Sequence, residues 1–395
     1  MASHLEALPP EILEIIADFC NQDDGDVEHP LLHFRTSCRT VQHATRRSWL
    51  RQYFRSRTIR YDHAKLNKLI DVASIPEFTC NIKAIDFICA PGLGPAKAEG
   101  DNESSATEGN ANISSLQPAL RDLKNIEEVY VRPTARDSLL STSASIQRVN
   151  VTETFSLALS AMAACVLRPK VIGITQYQWT QTMAFLSDCR ALLEHAHCFD
   201  QLRRLELGLG NADEEWSEDH DSKLIAEPLV QSLNDMQSLR CLFLVFHNQQ
   251  ESIAVINQLA KSASLPGLTS ITIACATCVI GDLNNFMRNH AESLRHCGLD
   301  EIEAMEAHSE TRYRNLLEAL RDSLQLDSLY IGSLYDDEGD SFQFPAFSRA
   351  HSSLEPNTDG YVEVEHCDAV VTEGEENVQS VLTQMLDCMQ LVEGQ

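Results

Sequence analysis

Leu202-Arg203-Arg204-Leu205-Glu206-Leu207 sets three leucines at a spacing that recurs along most of this chain. The last two alternate, so they share one face of a short strand, and the first turns inward where the strand begins. The same spacing returns as Leu239-x-x-Leu242-x-Leu244 and Leu268-x-x-Ile271-x-Ile273. Further copies are Ile82-x-x-Ile85-x-Phe87, Ile126-x-x-Val129-x-Val131, Ile146-x-x-Val149-x-Val151, Leu294-x-x-Cys297-x-Leu299 and Leu326-x-x-Leu329-x-Ile331. A weaker one ends at Ile172-x-Ile174.

Helical stripes lie between the copies. Met183, Leu186, Cys189, Leu192 and Leu193 mark one, Ile253, Ile256 and Leu259 another, and Leu283, Phe286 and Met287 a third. Strand-plus-helix units in a row, about 30 residues each, predict a stacked repeat. The period is long for leucine-rich repeats and the asparagine usual after the strand is missing. The expected fold class is therefore α/β, an irregular leucine-rich-repeat-like solenoid over residues 118–335 with a first unit at 61–89. A doubly wound α/β domain is the alternative, but no glycine-rich phosphate loop follows any strand.

Two stretches interrupt the pattern. Residues 90–117 are rich in Gly, Ala, Ser, Asn and Glu and read as a disordered insertion. Asn211 to Ser222 reads as an acidic loop from strand to helix. After Tyr335 the pattern fades into a polar, acidic tail over 336–373. A final helix is expected within 374–395, with Val378, Val381, Leu382, Met385 and Met389 along one side, as a cap or a partner-binding helix.

The chain has 395 residues and a net charge of −27. Residues 1–60 carry eight Arg and eight Asp or Glu, so the remainder carries the whole excess. So acidic a body repels phosphate backbones, which argues against nucleic acid as a partner and for a basic protein. The longest apolar run, Phe155 to Leu167, is too short to span a bilayer, and the N-terminus lacks the basic start of a signal peptide. No membrane partner is expected, and the compartment expected is cytoplasmic or nuclear. The 13 cysteines are then reduced thiols.

The N-terminal 60 residues are different in kind. Leu8-Pro9-Pro10-Glu11-Ile12 puts prolines and an acid in a first helical turn, where both are favoured. Leu8, Ile12, Ile15, Ile16 and Phe19 follow at helical spacing. A second helix is expected from Pro30 through Ala44 and a third from Thr45 to Arg57. The acidic stretch Asn21 to Glu28 separates the first two. Residues 5–56, with the Leu-Pro start, the Cys38-Arg39 segment and Trp49, resemble the F-box. That resemblance implies a three-helix bundle that docks on a Skp adaptor and so on a cullin–RING ligase. Carried over by position, the docking residues are Leu8, Pro9, Ile12, Ile15, Ile16, Leu32, Cys38 and Arg39. The acidic link is longer than the family's usual one.

Strand residues alternating with the core ones would face a partner. Tyr130, Phe243 and Tyr330 are the anchors expected there, rimmed by Arg204 and Glu206. No cofactor and no metal is expected. Cys275-Ala-Thr-Cys278 is a lone pair of thiols, short of the four ligands zinc needs. No nucleophile elbow, metalloprotease helix or phosphate loop is present, so the chain is expected not to be an enzyme. The resemblance implies instead a substrate-recognition adaptor of a Skp–cullin–F-box ubiquitin ligase, with a scaffold lacking any ligase role as the alternative.

Overall fold

The computed structural model describes residues 8–19, 30–60, 63–88, 116–118, 120–132, 144–174, 186–210, 223–305, 309–336, 341–343, 370–373 and 375–392. The acidic link at 21–28, the insertion up to Ser115, the loop at 211–222 and most of the acidic tail lie outside them.

Four short helices come first: α1 (Pro10–Phe19), α2 (Pro30–Thr36), α3 (Arg39–Ala44) and α4 (Arg46–Tyr53). The chain then enters strand β1 (Ser56–Arg60), followed by α5 (His63–Ala73), α6 (Pro76–Thr79), β2 (Ala84–Ile88) and β3 (Glu128–Arg132). Next come α7 (Ala144–Ala164), β4 (Val171–Ile174), α8 (Arg190–His195), β5 (Arg204–Leu209), α9 (Lys223–Asp235) and β6 (Cys241–Phe246). The last third holds α10 (Gln249–Ser262), β7 (Ser270–Cys278), α11 (Ile280–Asn289), β8 (His296–Ala304), α12 (Ser309–Ser323), β9 (Ser328–Ile331) and β10 (Leu334–Tyr335). Strands β11 (Ser341–Gln343) and β12 (Val370–Glu373), helix α13 (Glu375–Cys388) and strand β13 (Gln390–Val392) finish the chain.

Strands β1 to β10 are parallel, and β1 to β8 are ordered as in the sequence; β9 and β10 both pair with β8. Parallel crossovers are right-handed, so stepping always in one direction places every helix on one face. Neighbouring helices from α7 to α13 accordingly pack side by side in one layer. The register carries no stagger: Ser56, Ala84, Glu128, Val171, Arg204, Cys241, Ser270, His296 and Ser328 are successive partners. Closing a barrel requires stagger, and among the described residues β1 pairs only with β2. The sheet is thus open, with helices on one face.

The core lies between sheet and helices. Ile85, Phe87, Val129, Val131, Leu205, Leu207, Leu242, Leu244, Ile271, Ile273, Leu299 and Ile331 all point into it and are at most 2% exposed. Among the described residues no helix is long and apolar enough to cross a membrane.

The expected architecture is corrected in several places. The N-terminal region is not a three-helix bundle. Thr36 and Ser37 hydroxyls bond the carbonyls of His33 and Phe34, so the expected second helix breaks before Cys38. The expected third helix stops at Tyr53, and its last residues join the sheet as β1. The copy at Ile146 to Val151 is not a strand; it lies in the 21-residue helix α7. The C-terminal strands turn back antiparallel, β12 on β9, β11 on β10 and β13 on β11. In place of a bundle followed by a leucine-rich-repeat-like solenoid, there is one mixed 13-stranded α/β sheet that begins within the N-terminal region. Phe54 stacks on Phe78 at 4.3 Å, and Arg46 makes a forked ion pair with Glu77, joining the early helices to its first edge.

Candidate functional site

The face without helices is where side chains can meet a ligand. One row across it reads Thr58, Asp86, Tyr130, Gly173, Glu206, Phe243, Thr272, Gly298 and Tyr330. Tyr130, Glu206, Phe243 and Tyr330 therefore share one row, as the alternation predicted, with Arg204 two residues before Glu206. Tyr130 and Glu206 close over Gly173, where a Cβ would lie 2.9 Å from the Tyr130 ring and 3.2 Å from Glu206 Oε2.

The row divides into two regions. Over β2 to β5 the charges are paired. Arg132 bonds the buried Asp86 carboxylate at 3.1 Å and lies 5.7 Å from the centre of the Tyr130 ring. Arg204 pairs with Glu206. Burial and the Glu206 charge hold the Tyr130 hydroxyl above its ordinary pKa.

Over β7 to β10 the strands change phase. Ile271 and Ile273 face the core, then Ala276 and Cys278, so that Ala274 and Cys275 both face outward. On β8 the core residues are Cys297 and Leu299, then Ile302 and Ala304; on β9 and β10 they are Leu329 and Ile331, then Leu334. The pairing skips accordingly, from Ala274–Asp300 to Ala276–Ile302 and from Leu299–Ile331 to Ile302–Leu334. Cys275 and Glu301 take φ of 54° and 49°, left-handed values that cost a non-glycine residue about 1–3 kcal/mol. β7, β8 and the step from β9 to β10 slip at the same level, so the ladder resumes intact.

Buried polar side chains from the helices hold the slipped backbone. Tyr313 of α12 puts its hydroxyl 2.7 Å from the Ile302 carbonyl and 2.9 Å from that of Tyr335. Burial keeps that hydroxyl protonated, well above the usual tyrosine value. Ser252 of α10 donates to the Thr277 carbonyl at 2.8 Å and accepts from the Thr277 N–H at 3.1 Å.

The slip doubles the outward positions and opens a cleft of about 360 Å3 over the C-terminal parts of β7, β8 and β10, next to the end of β6. Its lining includes His247, Gln249, Cys275, Thr277, Glu301, Glu303 and Tyr335. Glu301 accepts from the Cys275 thiol at 3.0 Å; Glu303 accepts from Thr277 at 2.8 Å and from Gln249 at 3.1 Å. Behind them Asp300, 8% exposed, accepts from the Tyr330 hydroxyl and from the N–H groups of Glu301 and Ser333. Burial, then the Glu301 charge, raises the Asp300 pKa; burial and Asp300 push Tyr330 up to about 12. Burial, then Glu301, pushes the Cys275 thiol up to about 12, so it is a neutral donor and no nucleophile.

Cys278 faces the core and Cys275 the open face, so the two thiols do not converge. Among the described residues no group of three or more His, Cys, Asp or Glu is placed to hold a metal ion. On the early helices, Leu13 and Ala17 face inward, whereas Ile12, Ile15 and Leu32 are 42%, 51% and 45% exposed. Pro9 and Arg39 are exposed, and Leu8, Ile16 and Cys38 half-buried.

Sequence reasoning missed Asp300, Glu301 and Glu303. Their signal was the two-residue gap in Ile271-x-Ile273-x-x-Ala276 and in Cys297-x-Leu299-x-x-Ile302.

No family model matches this chain, and no curated protein matches it. Among solved structures, a D-tagatose 3-epimerase-like protein aligns with 73% of this chain and 94% of its own, at 11% identity and a TM-score of 0.20. The expectation that this chain is not an enzyme is corrected to an open one, because it rested on missing sequence motifs alone and an absent motif excludes no activity. At that TM-score the match assigns this chain neither a fold nor an activity.

Proposed function

We propose that this chain is a recruiting adaptor of the cytoplasm or nucleus, with two separate binding surfaces. The early helices dock on a Skp-type adaptor of a cullin–RING ligase, and the open face of the sheet takes a protein target. The observation that carries this reading is the exposure of Ile12, Ile15 and Leu32. They are three of the six large hydrophobic residues exposed among the described ones, and they fall on the first two helices. The other three are scattered through the chain. Exposed apolar side chains gathered in one region mark a place where a partner removes them from water.

The resemblance of residues 5–56 to the F-box supplies the class of that partner. The aromatic residues Tyr130, Phe243 and Tyr330 along one row support the second surface, since such side chains anchor interfaces. Calorimetric titration of the full chain with a purified Skp-type adaptor tests the first surface. Saturable binding is expected, weakened at least about tenfold by Ile12→Ala with Ile15→Ala, because buried interface anchors are worth a few kcal/mol. An intact, folded chain that does not bind rejects the ligase role and leaves a scaffold.

A further inference from the structure

We propose that the open face over β6 to β10 seats an arginine- or lysine-bearing segment of a protein partner, with the cation held by Glu301 and Glu303 in front of the buried Asp300. This rests on the reading of that face as the target surface and adds the chemistry of the target.

The argument begins with the charges. Over β2 to β5 the face neutralises itself, Arg132 on Asp86 and Arg204 on Glu206. Over β7 to β10 three carboxylates are held by neutral donors, Tyr330, Cys275, Thr277 and Gln249. Among the described residues none of the three forms an ion pair with Lys or Arg, and no Lys or Arg lines the cleft. The start of α10 borders it and contributes about half a positive charge. That is too little to balance Glu301 and Glu303, and Glu251 already lies in the helix's first turn. A cation supplied from outside would complete the site.

The shape agrees. Phe243 and Tyr330 stand three strands apart, about 14 Å at ordinary strand spacing. Thr272 and Gly298 lie low between them, and a Cβ on Gly298 would come 2.9 Å from the Thr272 hydroxyl. Above Phe243 the floor is apolar: Val245 and Ala274 form a cluster of their own, apart from the main core, with Phe243 and Cys275 packed on it. A long side chain can lay its methylenes on this floor and its charge against the carboxylates. The same geometry repels an acidic segment.

The probe is a fluorescein-labelled peptide with the core Leu-Arg-Leu-Arg, read by anisotropy against the same peptide with citrulline for arginine, using the full chain. The arginine peptide is expected to bind at least about tenfold tighter than its citrulline form, and added salt should weaken it. Glu301→Gln with Glu303→Gln should lower its affinity at least about tenfold. Glu227→Gln with Glu318→Gln removes the same net charge from the helical layer and should change affinity less than about twofold. Equal binding of the two peptides, no saturable binding, or equal losses in the two double variants would each overturn the proposal. Adaptor binding by the Glu301/Glu303 double variant should be unchanged, so a failure here is separable from a failure of the docking reading.

Discussion

The two halves of the sheet are built from the same strands and differ at one level. From β1 to β6 each strand alternates without interruption, and the carboxylates Asp86 and Glu206 on its open face pair with arginines. From β7 to β10 the strands slip together, and among the described residues their carboxylates form no ion pair with Lys or Arg. The apolar core is continuous under both halves. A sheet can therefore keep its packing and change the chemistry of its other face, provided neighbouring strands slip at the same residue and buried hydroxyls hold the displaced backbone.

Four experiments put that contrast under strain. The largest effect should be common to both halves. Leu244→Ala and Leu299→Ala remove fully buried side chains, and each should lose about 2–5 kcal/mol in urea unfolding. A loss below about 1 kcal/mol at Leu299 alone would mean that the slipped half is poorly packed. Next, Tyr313→Phe takes the hydroxyl from one buried and one half-buried carbonyl and should cost about 1–3 kcal/mol. Hydrogen exchange should rise at the ends of β8 and β10 and stay unchanged in β2 to β5.

The third comparison has opposite signs. Glu301→Gly relieves a left-handed backbone and should stabilise by about 1 kcal/mol. Glu206→Gly, in the regular half, should destabilise by about 0.5–1 kcal/mol. If both destabilise alike, the left-handed conformation at Glu301 carries no strain.

The smallest effect is in pH dependence. The Asp300 pKa is raised in the folded chain, so its contribution is favourable below the ordinary Asp value and is lost as pH rises. Asp300→Asn should thus gain on the native chain as pH rises above the ordinary Asp value. Glu127 is the reverse: hydrogen bonds from Lys83 and Lys170 lower its pKa, so its contribution is present above pH 4.5 and lost as pH falls. Glu127→Gln should be worse than native at neutral pH and equal to it in acid. Urea midpoints across pH that move the same way in both variants would remove the electrostatic distinction.

Much of the strand layer was legible from leucine spacing, because inward positions on parallel strands under a helical layer must be apolar. The triplet at Ile146 misled because its neighbours Phe155, Ala158, Leu159 and Met162 continue at helical spacing, and the longer helix prevails. The break before Cys38 was hidden because serine and threonine suit a helix surface as well as its end. At the candidate site, Phe243 and Tyr330 could be named from alternation. Asp300, Glu301 and Glu303 could not, since in so acidic a chain a carboxylate carries no signal until the strands' change of phase is recognised. The mixed C-terminal pairing depends on contacts between distant residues, which local patterns do not specify.

The division into two binding surfaces is tested most directly by hydrogen exchange of the full chain with and without saturating Skp-type adaptor. Protection confined to α1 and α2, with β6 to β10 unchanged, is the predicted result. Protection across the open face of β6 to β10, or none in α1 and α2 under conditions of proven binding, would contradict it.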